Sequence, residues 1–175
     1  MFSDPIKNIE QFELEKGNKV ADLGSGSGFY SIEVAQIVGG DGRVYSVDVQ
    51  KDLLQKIRNQ AILKKLRNVE IIWGDMEKVG GTKLRAEMVD RVIISNTLFQ
   101  IEHKEVAIEE AKRILRKNGR LLLVDWADSF GGLGPQPKDV LDKDSAEKLF
   151  LKHGFVFERE ISAGEHHYGL IFKKQ

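Results

Sequence analysis

Residues 20–31, Val-Ala-Asp-Leu-Gly-Ser-Gly-Ser-Gly-Phe-Tyr-Ser, restrict this chain more than any other stretch. Val20, Ala21 and Leu23 are compact and apolar, as the end of a buried parallel strand requires. Gly24, Gly26 and Gly28 alternate with Ser25 and Ser27, and an apolar helical pattern follows from Phe29. Glycine puts no Cβ between the backbone and a ligand. A helix start also carries unpaired N–H groups that meet a polar or anionic partner. The stretch predicts a strand–turn–helix unit that holds a nucleotide-like ligand at residues 24–28.

The rest of the chain repeats that unit. Ser3-Asp4-Pro5 reads as a capped helix start, with Ile6, Ile9 and Phe12 as its apolar stripe. Residues 1–14 form a short N-terminal helix, either packed at the edge or acting as a lid with Phe2 in the pocket. Strands are expected at 19–23, 43–49, 69–73, 89–95, 120–125, 155–161 and 166–173, the fifth being the most apolar and central. Helices are expected from Phe29 to Val38, from an Asp52 cap to Lys65, over 104–116 and, behind an Asp144/Glu147 capping box, up to His153. In the second of these Leu53, Leu54, Ile57, Ala61 and Ile62 point inward, and Asn118-Gly119 stops the third. Segments 77–88 and 126–141 read as loops, the second long enough to suggest function. Alternating strands and helices imply a parallel sheet with right-handed crossovers. The corner at Ser162-Ala163-Gly164 is too short for a crossover, so the last strand runs antiparallel. A length of 175 residues fits one domain over 1–175.

Charge weighs against some partners. Lys+Arg and Asp+Glu are equal at 27 each, without the basic excess of a nucleic-acid or membrane-surface protein. Lys51, Lys56, Arg58, Lys64, Lys65 and Arg67 read as a solvated helix face, with an RNA-binding edge as the alternative. There is no cysteine, hence no thiolate metal ligand or cysteine nucleophile. The N-terminus lacks a signal-peptide pattern, and no apolar run reaches the roughly 20 residues of a membrane span. A cytoplasmic protein is expected.

Three carboxylates sharpen the ligand. A dinucleotide turn follows Gly-x-Gly-x-x-Gly, whereas here the third glycine comes one residue early. Asp22, just before the turn, suits an amino group better than a pyrophosphate. Asp48 follows Gly26 by 22 positions and ends the next strand, where a carboxylate accepts bonds from ribose hydroxyls. Asp75, after the third strand, can accept from an exocyclic adenine amine with Met76 against the ring. All three sit at carboxyl ends of strands, where open α/β sheets bind ligands.

On these residues the chain resembles the class I S-adenosylmethionine-dependent methyltransferases. Val-Ala-Asp-Leu-Gly-Ser-Gly-Ser-Gly is similar to their first motif and Val-Tyr-Ser-Val-Asp48 to the second. Gly74-Asp75-Met76, Asp90-Arg-Val-Ile-Ile-Ser-Asn96 and the segment Ile114 to Val124 are similar to the following ones. The resemblance covers about residues 15–173 and is nearest to small-molecule enzymes of the ubiquinone/menaquinone-biosynthesis type and their small stand-alone relatives. It implies an α/β, doubly wound, Rossmann-like sheet of seven strands in the order 3-2-1-4-5-7-6. It implies S-adenosylmethionine as cofactor and S-adenosylhomocysteine as product. Asp22 and the Gly24, Ser25, Gly26 and Gly28 turn would hold the methionine end, with Asn96 lining that side and Tyr30 as an aromatic wall of the cofactor pocket. Asp48 would take the ribose and Asp75 and Met76 the adenine, with Val49 and Gly74 beside them in the cofactor site.

The acceptor is less legible. Ser95-Asn96-Thr97-Leu98 departs from the Asn/Asp-Pro-Pro-Tyr/Phe of enzymes that methylate nucleic-acid amino groups, and the missing cysteine excludes cysteine-bound arsenic. Acceptor recognition falls to residues 1–12, 97–103, 126–141 and the last hairpin turn, or to a second subunit of a homodimer. Asp125, His103 and His166 are the catalytic candidates, needed only if the acceptor must lose a proton. His166 and His167 alternate on a strand, so at most one faces the pocket and joint metal ligation is disfavoured; no metal site is expected. The expected function is methyl transfer to a small molecule without membrane or nucleic-acid partners. A nicotinamide-dependent oxidoreductase, a non-catalytic S-adenosylmethionine-binding protein and an RNA or protein acceptor are the alternatives.

Overall fold

A computed structural model describes residues 3–130, 132 and 134–175. The apolar runs form β1 (Lys19–Leu23), β2 (Arg43–Asp48), β3 (Val69–Trp73), β4 (Val89–Ser95), β5 (Leu115–Trp126), β6 (Phe155–Ile161) and β7 (His167–Lys174). They make one sheet in the order 3-2-1-4-5-7-6. The first five strands pair parallel, and β7 runs antiparallel to both β5 and β6. β4 holds the middle place and β5 stands beside it. Among the described residues no helix is long and apolar enough to cross a membrane.

The two-residue period of each strand divides the core. Ile93, Leu122, Val124 and Ile171 pack with Ile9 and Phe12, and with Val34 of α2 (Phe29–Val38), on the face that α1 (Pro5–Glu10) also covers. α3 (Lys51–Leu63) packs beside α2 through Leu54, Ile57 and Ala61. On the opposite face Val92, Ile94, Leu121, Leu123 and Phe172 meet α4 (Lys104–Ile114) and α5 (Lys143–Lys152). Phe150 of α5 stacks on Phe172 at 4.5 Å. β1 pairs with β2 on one side and β4 on the other, so the chain leaves these strand ends in opposite directions. That divergence opens a crevice at their carboxyl ends.

Several local expectations change. β5 begins at Leu115, which pairs with Val89 before the register shifts. Asn118 adopts φ +62°, so the Asn-Gly pair becomes an irregularity inside the strand instead of a helix stop. α5 is capped by Asp142, whose Oδ1 accepts from the Ser145 N–H at 2.9 Å, in place of Asp144. α3 starts at Lys51 after Gln50, so Asp52 sits in its first turn. Ile6 and Ile62 are exposed, and the buried places on α1 go to Ile9 and Asn8. The proposed position of Phe2 lies outside the described residues.

The polar segment 77–88 is held by one buried carboxylate. Glu110 accepts from Thr82 Oγ1 at 2.6 Å, Gly80 N at 3.0 Å and Arg113 Nε at 2.7 Å. Burial opposes ionisation there, but these donors outweigh it and bring the carboxyl down to about 2. The segment's own Gly81 carbonyl then accepts from Asp75 N at 3.0 Å, fixing the strand end that enters the crevice. Because the folded value lies below the ordinary 4.5, this contribution is complete above pH 4.5 and is lost as pH falls toward 2. Glu110→Gln is expected to lose about 2–3 kcal/mol at pH 7 and to flatten the acid limb of stability between those values, as thermal unfolding across pH would show.

Candidate functional site

A cavity of about 440 Å³ occupies the crevice. Its wall contains Asp22, Gly24, Ser25, Gly26, Tyr30, Asp48, Val49, Gly74, Asp75, Met76 and Asn96, brought together from the ends of β1 to β4. Gly28 is behind the wall. Its φ is +86°, and a Cβ there would stand 2.5 Å from Ile57 Cγ1, so this glycine lets α2 meet α3.

The turn is bonded differently from the expectation of free N–H groups. Gly24 N and Ser25 N both donate to the Val47 carbonyl, at 2.9 and 3.1 Å, and Gly28 N donates to Ser25 O. Gly26 N donates to Asp48 Oδ2 at 2.9 Å, while Gln50 N donates to Asp48 Oδ1 at 2.8 Å. One carboxylate therefore clamps both the glycine turn and the entry to α3. With these donors engaged, the turn offers close backbone approach more than an anion cradle. Buried Asp22 accepts from Ser31 Oγ at 2.6 Å, and Ser46 Oγ reaches Ser31 Oγ at 2.7 Å. Burial pushes the Asp22 carboxyl up to about 6, with Asp48 adding to the rise and Ser31 opposing it. This serine relay had no signal beyond two small polar residues in apolar runs.

Asp75 accepts from Glu77 N at 3.0 Å and pairs with Lys78 Nζ at 3.0 Å. Partial burial pushes its carboxyl up, but those partners prevail and hold it below the usual range. Met76 is buried and joins the core while lining the cavity. Asn96 adopts φ +50°, and its N–H donates to Val124 O at 2.8 Å. Among the described residues Asn96 Oδ1 and Ser25 Oγ are buried without a hydrogen-bond partner. Thr97, expected only as part of the 97–103 acceptor loop, donates to Ser95 O and touches the Gly24 carbonyl of the glycine turn. Asn8, Ser3 and Tyr30 form a further group: Asn8 Nδ2 lies 2.8 Å from both hydroxyls.

The catalytic candidates stand apart from the cavity lining. Asp125 is buried, accepting from Phe99 N at 3.1 Å and Trp126 N at 2.8 Å. Burial pushes its carboxyl up to about 6 against those bonds. His103 precedes α4, and its backbone N donates to Glu77 Oε2 at 2.8 Å. His166 pairs with Asp128 at 3.0 Å and stacks on Phe130 at 4.0 Å. His167 lies buried against Trp126. Among the described residues no cluster of metal-ligating side chains occurs.

A seven-stranded sheet of this order, with carboxylates at the ends of its first three strands, defines a class I methyltransferase fold. A family model described as a methyltransferase domain matches residues 14–170, and the chain belongs to that family, the S-adenosylmethionine-dependent methyltransferases. The crystal structure of an S-adenosylmethionine-dependent methyltransferase from Aquifex aeolicus is similar over 99% of this chain and 91% of its own, at 26% identity and a TM-score of 0.89. An arsenite methyltransferase of Halobacterium salinarum is 34% identical over 134 residues, 75% of this chain and 32% of that protein. The ubiquinone/menaquinone biosynthesis C-methyltransferase UbiE of Pseudomonas fluorescens is 30% identical over 126 residues, 71% of this chain and 48% of that protein. The chain thus spans a third to a half of the length of these two curated relatives.

Asp22 carries a testable cost. Its folded value lies above the ordinary 3.8, so the stability it permits is complete below pH 3.8 and declines as pH rises to about 6. Asp22→Asn is expected to raise ligand-free stability by up to about 3 kcal/mol at pH 7.5 and by little at pH 4, as denaturant unfolding at the two pH values would show.

Proposed function

We propose that this chain transfers the methyl group of S-adenosylmethionine to a small-molecule acceptor. The single observation that carries the reading is the gathering of Asp22, Asp48 and Asp75 around one cavity whose glycine-turn N–H groups are largely bonded within the protein. Such a wall favours a ligand rich in donors and positive charge over a pyrophosphate, which argues against a nicotinamide dinucleotide. The buried unpartnered Ser25 Oγ and Asn96 Oδ1 fit the same ligand.

In this reading Asp22 faces the ligand's amino group, and the free lone pairs of Asp48 accept from the ribose hydroxyls. Asp75 and Met76 take the adenine. When bound, the sulfonium supplies an activated methyl and a neutral leaving group. The protein's part is to align the acceptor with that methyl carbon, a positioning effect able to supply most of the rate. Asp125 contributes as a positioning residue, holding the Phe99 N–H of the segment after β4 and the Trp126 N–H at the end of β5. The named small-molecule acceptors of UbiE and the arsenite enzyme support a small acceptor, and the absence of cysteine favours the former chemistry.

Calorimetry with S-adenosylhomocysteine and with NAD tests the assignment. The expected result is binding of the first and none of the second; the reverse would refute the proposal. Asp48→Ala is expected to weaken S-adenosylhomocysteine binding by about 1–3 kcal/mol. A thermal melt of the variant separates ligand loss from misfolding.

A further inference from the structure

Glu77 is a carboxylate of the cavity wall to which the cofactor reading gives no part. Its Oε2 accepts from two successive N–H groups, Glu102 at 3.0 Å and His103 at 2.8 Å. Glu77 follows Met76 at the exit of β3, whereas residues 102 and 103 lead from β4 into α4. In the sheet order 3-2-1-4, β2 and β1 stand between those two strands. The contact is therefore a bridge across the ends of the strands that carry Asp48 and the glycine turn. A carboxylate suits that place. α4 begins at Lys104, and among the described residues its cap His103 makes no side-chain bond to the helix start. N–H groups at the entry to a helix need partners and favour negative charge, and Glu77 supplies both from another element.

The segment between β4 and α4 is tied down at its start, where Thr97 Oγ1 donates to Ser95 O at 2.9 Å and Phe99 N to Asp125 Oδ2 at 3.1 Å. Thr97 also packs against Gly24, where a Cβ would stand 2.5 Å from its side chain. Glu77 secures the other end. Between these anchors Gln100 and Ile101 line the cavity, and Ile101, 4% exposed, shares one apolar cluster with Met76. On the near side Glu77 N donates to Asp75 Oδ1 at 3.0 Å, so the bridge begins beside the residues given to the adenine. Met76 and Ile101 thus give the cavity an apolar side contributed by both loops, and Glu77 fixes one loop against the other. A ring that enters a gap already fixed loses less affinity to ordering than one that must assemble it.

We propose that Glu77 is a positioning residue for the adenine end of the cofactor: by bonding the Glu102 and His103 N–H groups it presets the gap that the ring enters. Its role rests on the adenine placement proposed above. The test is titration of the full chain with S-adenosylhomocysteine and with S-ribosylhomocysteine, the same ligand without its adenine. Glu77→Ala is expected to weaken S-adenosylhomocysteine about tenfold and to leave S-ribosylhomocysteine within about twofold, so the ratio of the two affinities collapses. Glu77→Gln keeps an acceptor oxygen and is expected to restore most of that ratio. A purely structural role would lower the melting temperature or weaken both ligands alike. An unchanged ratio in Glu77→Ala, equal loss of both ligands, or a Gln variant no better than the Ala variant would overturn the proposal. Should S-ribosylhomocysteine bind too weakly to titrate, release of S-adenosylhomocysteine decides. It should be about tenfold faster from Glu77→Ala and near wild type from Glu77→Gln, and any other pattern refutes the assignment. Should Glu77→Ala fail to fold, Glu77→Asp, whose carboxylate falls one methylene short, takes its place in the same comparison. A wild-type chain that binds no S-adenosylhomocysteine would refute the cofactor reading itself, whereas tight wild-type binding with an unchanged ratio refutes the part given to Glu77 alone.

Discussion

The Asp48 carboxylate fixes two turns at once. One oxygen holds Gly26 N and the other Gln50 N, so the glycine turn after β1 and the start of α3 keep one relative position. The bond is possible only because β1 and β2 are parallel and in register, Leu23 opposite Val47. The cavity depends on this clamp: its floor is the turn, and its side is the exit from β2. A charge-assisted bond of this kind to backbone N–H is about twice as strong as a neutral one. A single side chain can therefore shape the site while keeping lone pairs for a ligand.

Elsewhere the same strand ends trade stability for use. Asp22 and Asp125 are buried with carboxyls raised to about 6. Glu110, equally buried, is held near 2 because Arg113 and Thr82 meet it. The contrast separates scaffold from site: a buried acid with a cation beside it stabilises a loop, and one without it awaits a partner. Asp125 falls between these cases, since two backbone N–H groups meet it and bind it to the loops around the crevice.

Strand ends were legible because short apolar runs terminating in Asp or Gly leave little freedom in where a buried strand stops. That is why Asp22, Asp48 and Asp75 could be placed at one end of the sheet from residue type and spacing, and they line one cavity there. Side-chain bonding was not legible. Nothing in Val20–Ser31 reveals that the Val47 carbonyl takes the Gly24 and Ser25 N–H groups, because that bond belongs to the pairing of β1 with β2. Asn118-Gly119 carries a strong turn signal, yet strand pairing on both sides of it prevails and β5 runs through. Asp142 and Asp144 are both good caps on local grounds, and the bond to Ser145 decides between them. The histidines were the least legible, since adjacent residues of one type meet an ion pair on one face and an apolar core on the other.

α1 attaches to the rest of the molecule through few groups. Asn8 reaches Tyr30, Gln11 exchanges two bonds with Ser162, and Ile9 and Phe12 fill one apolar hollow. No strand pairing runs through it, and it stands before the first strand in the chain. The N-terminal helix is thus an attachment to the sheet and not a part of its pairing. A replacement would reshape what approaches the crevice, provided it again covered Ile93, Leu122 and Val124. The chain spans only a third to a half of the length of the two curated relatives it matches.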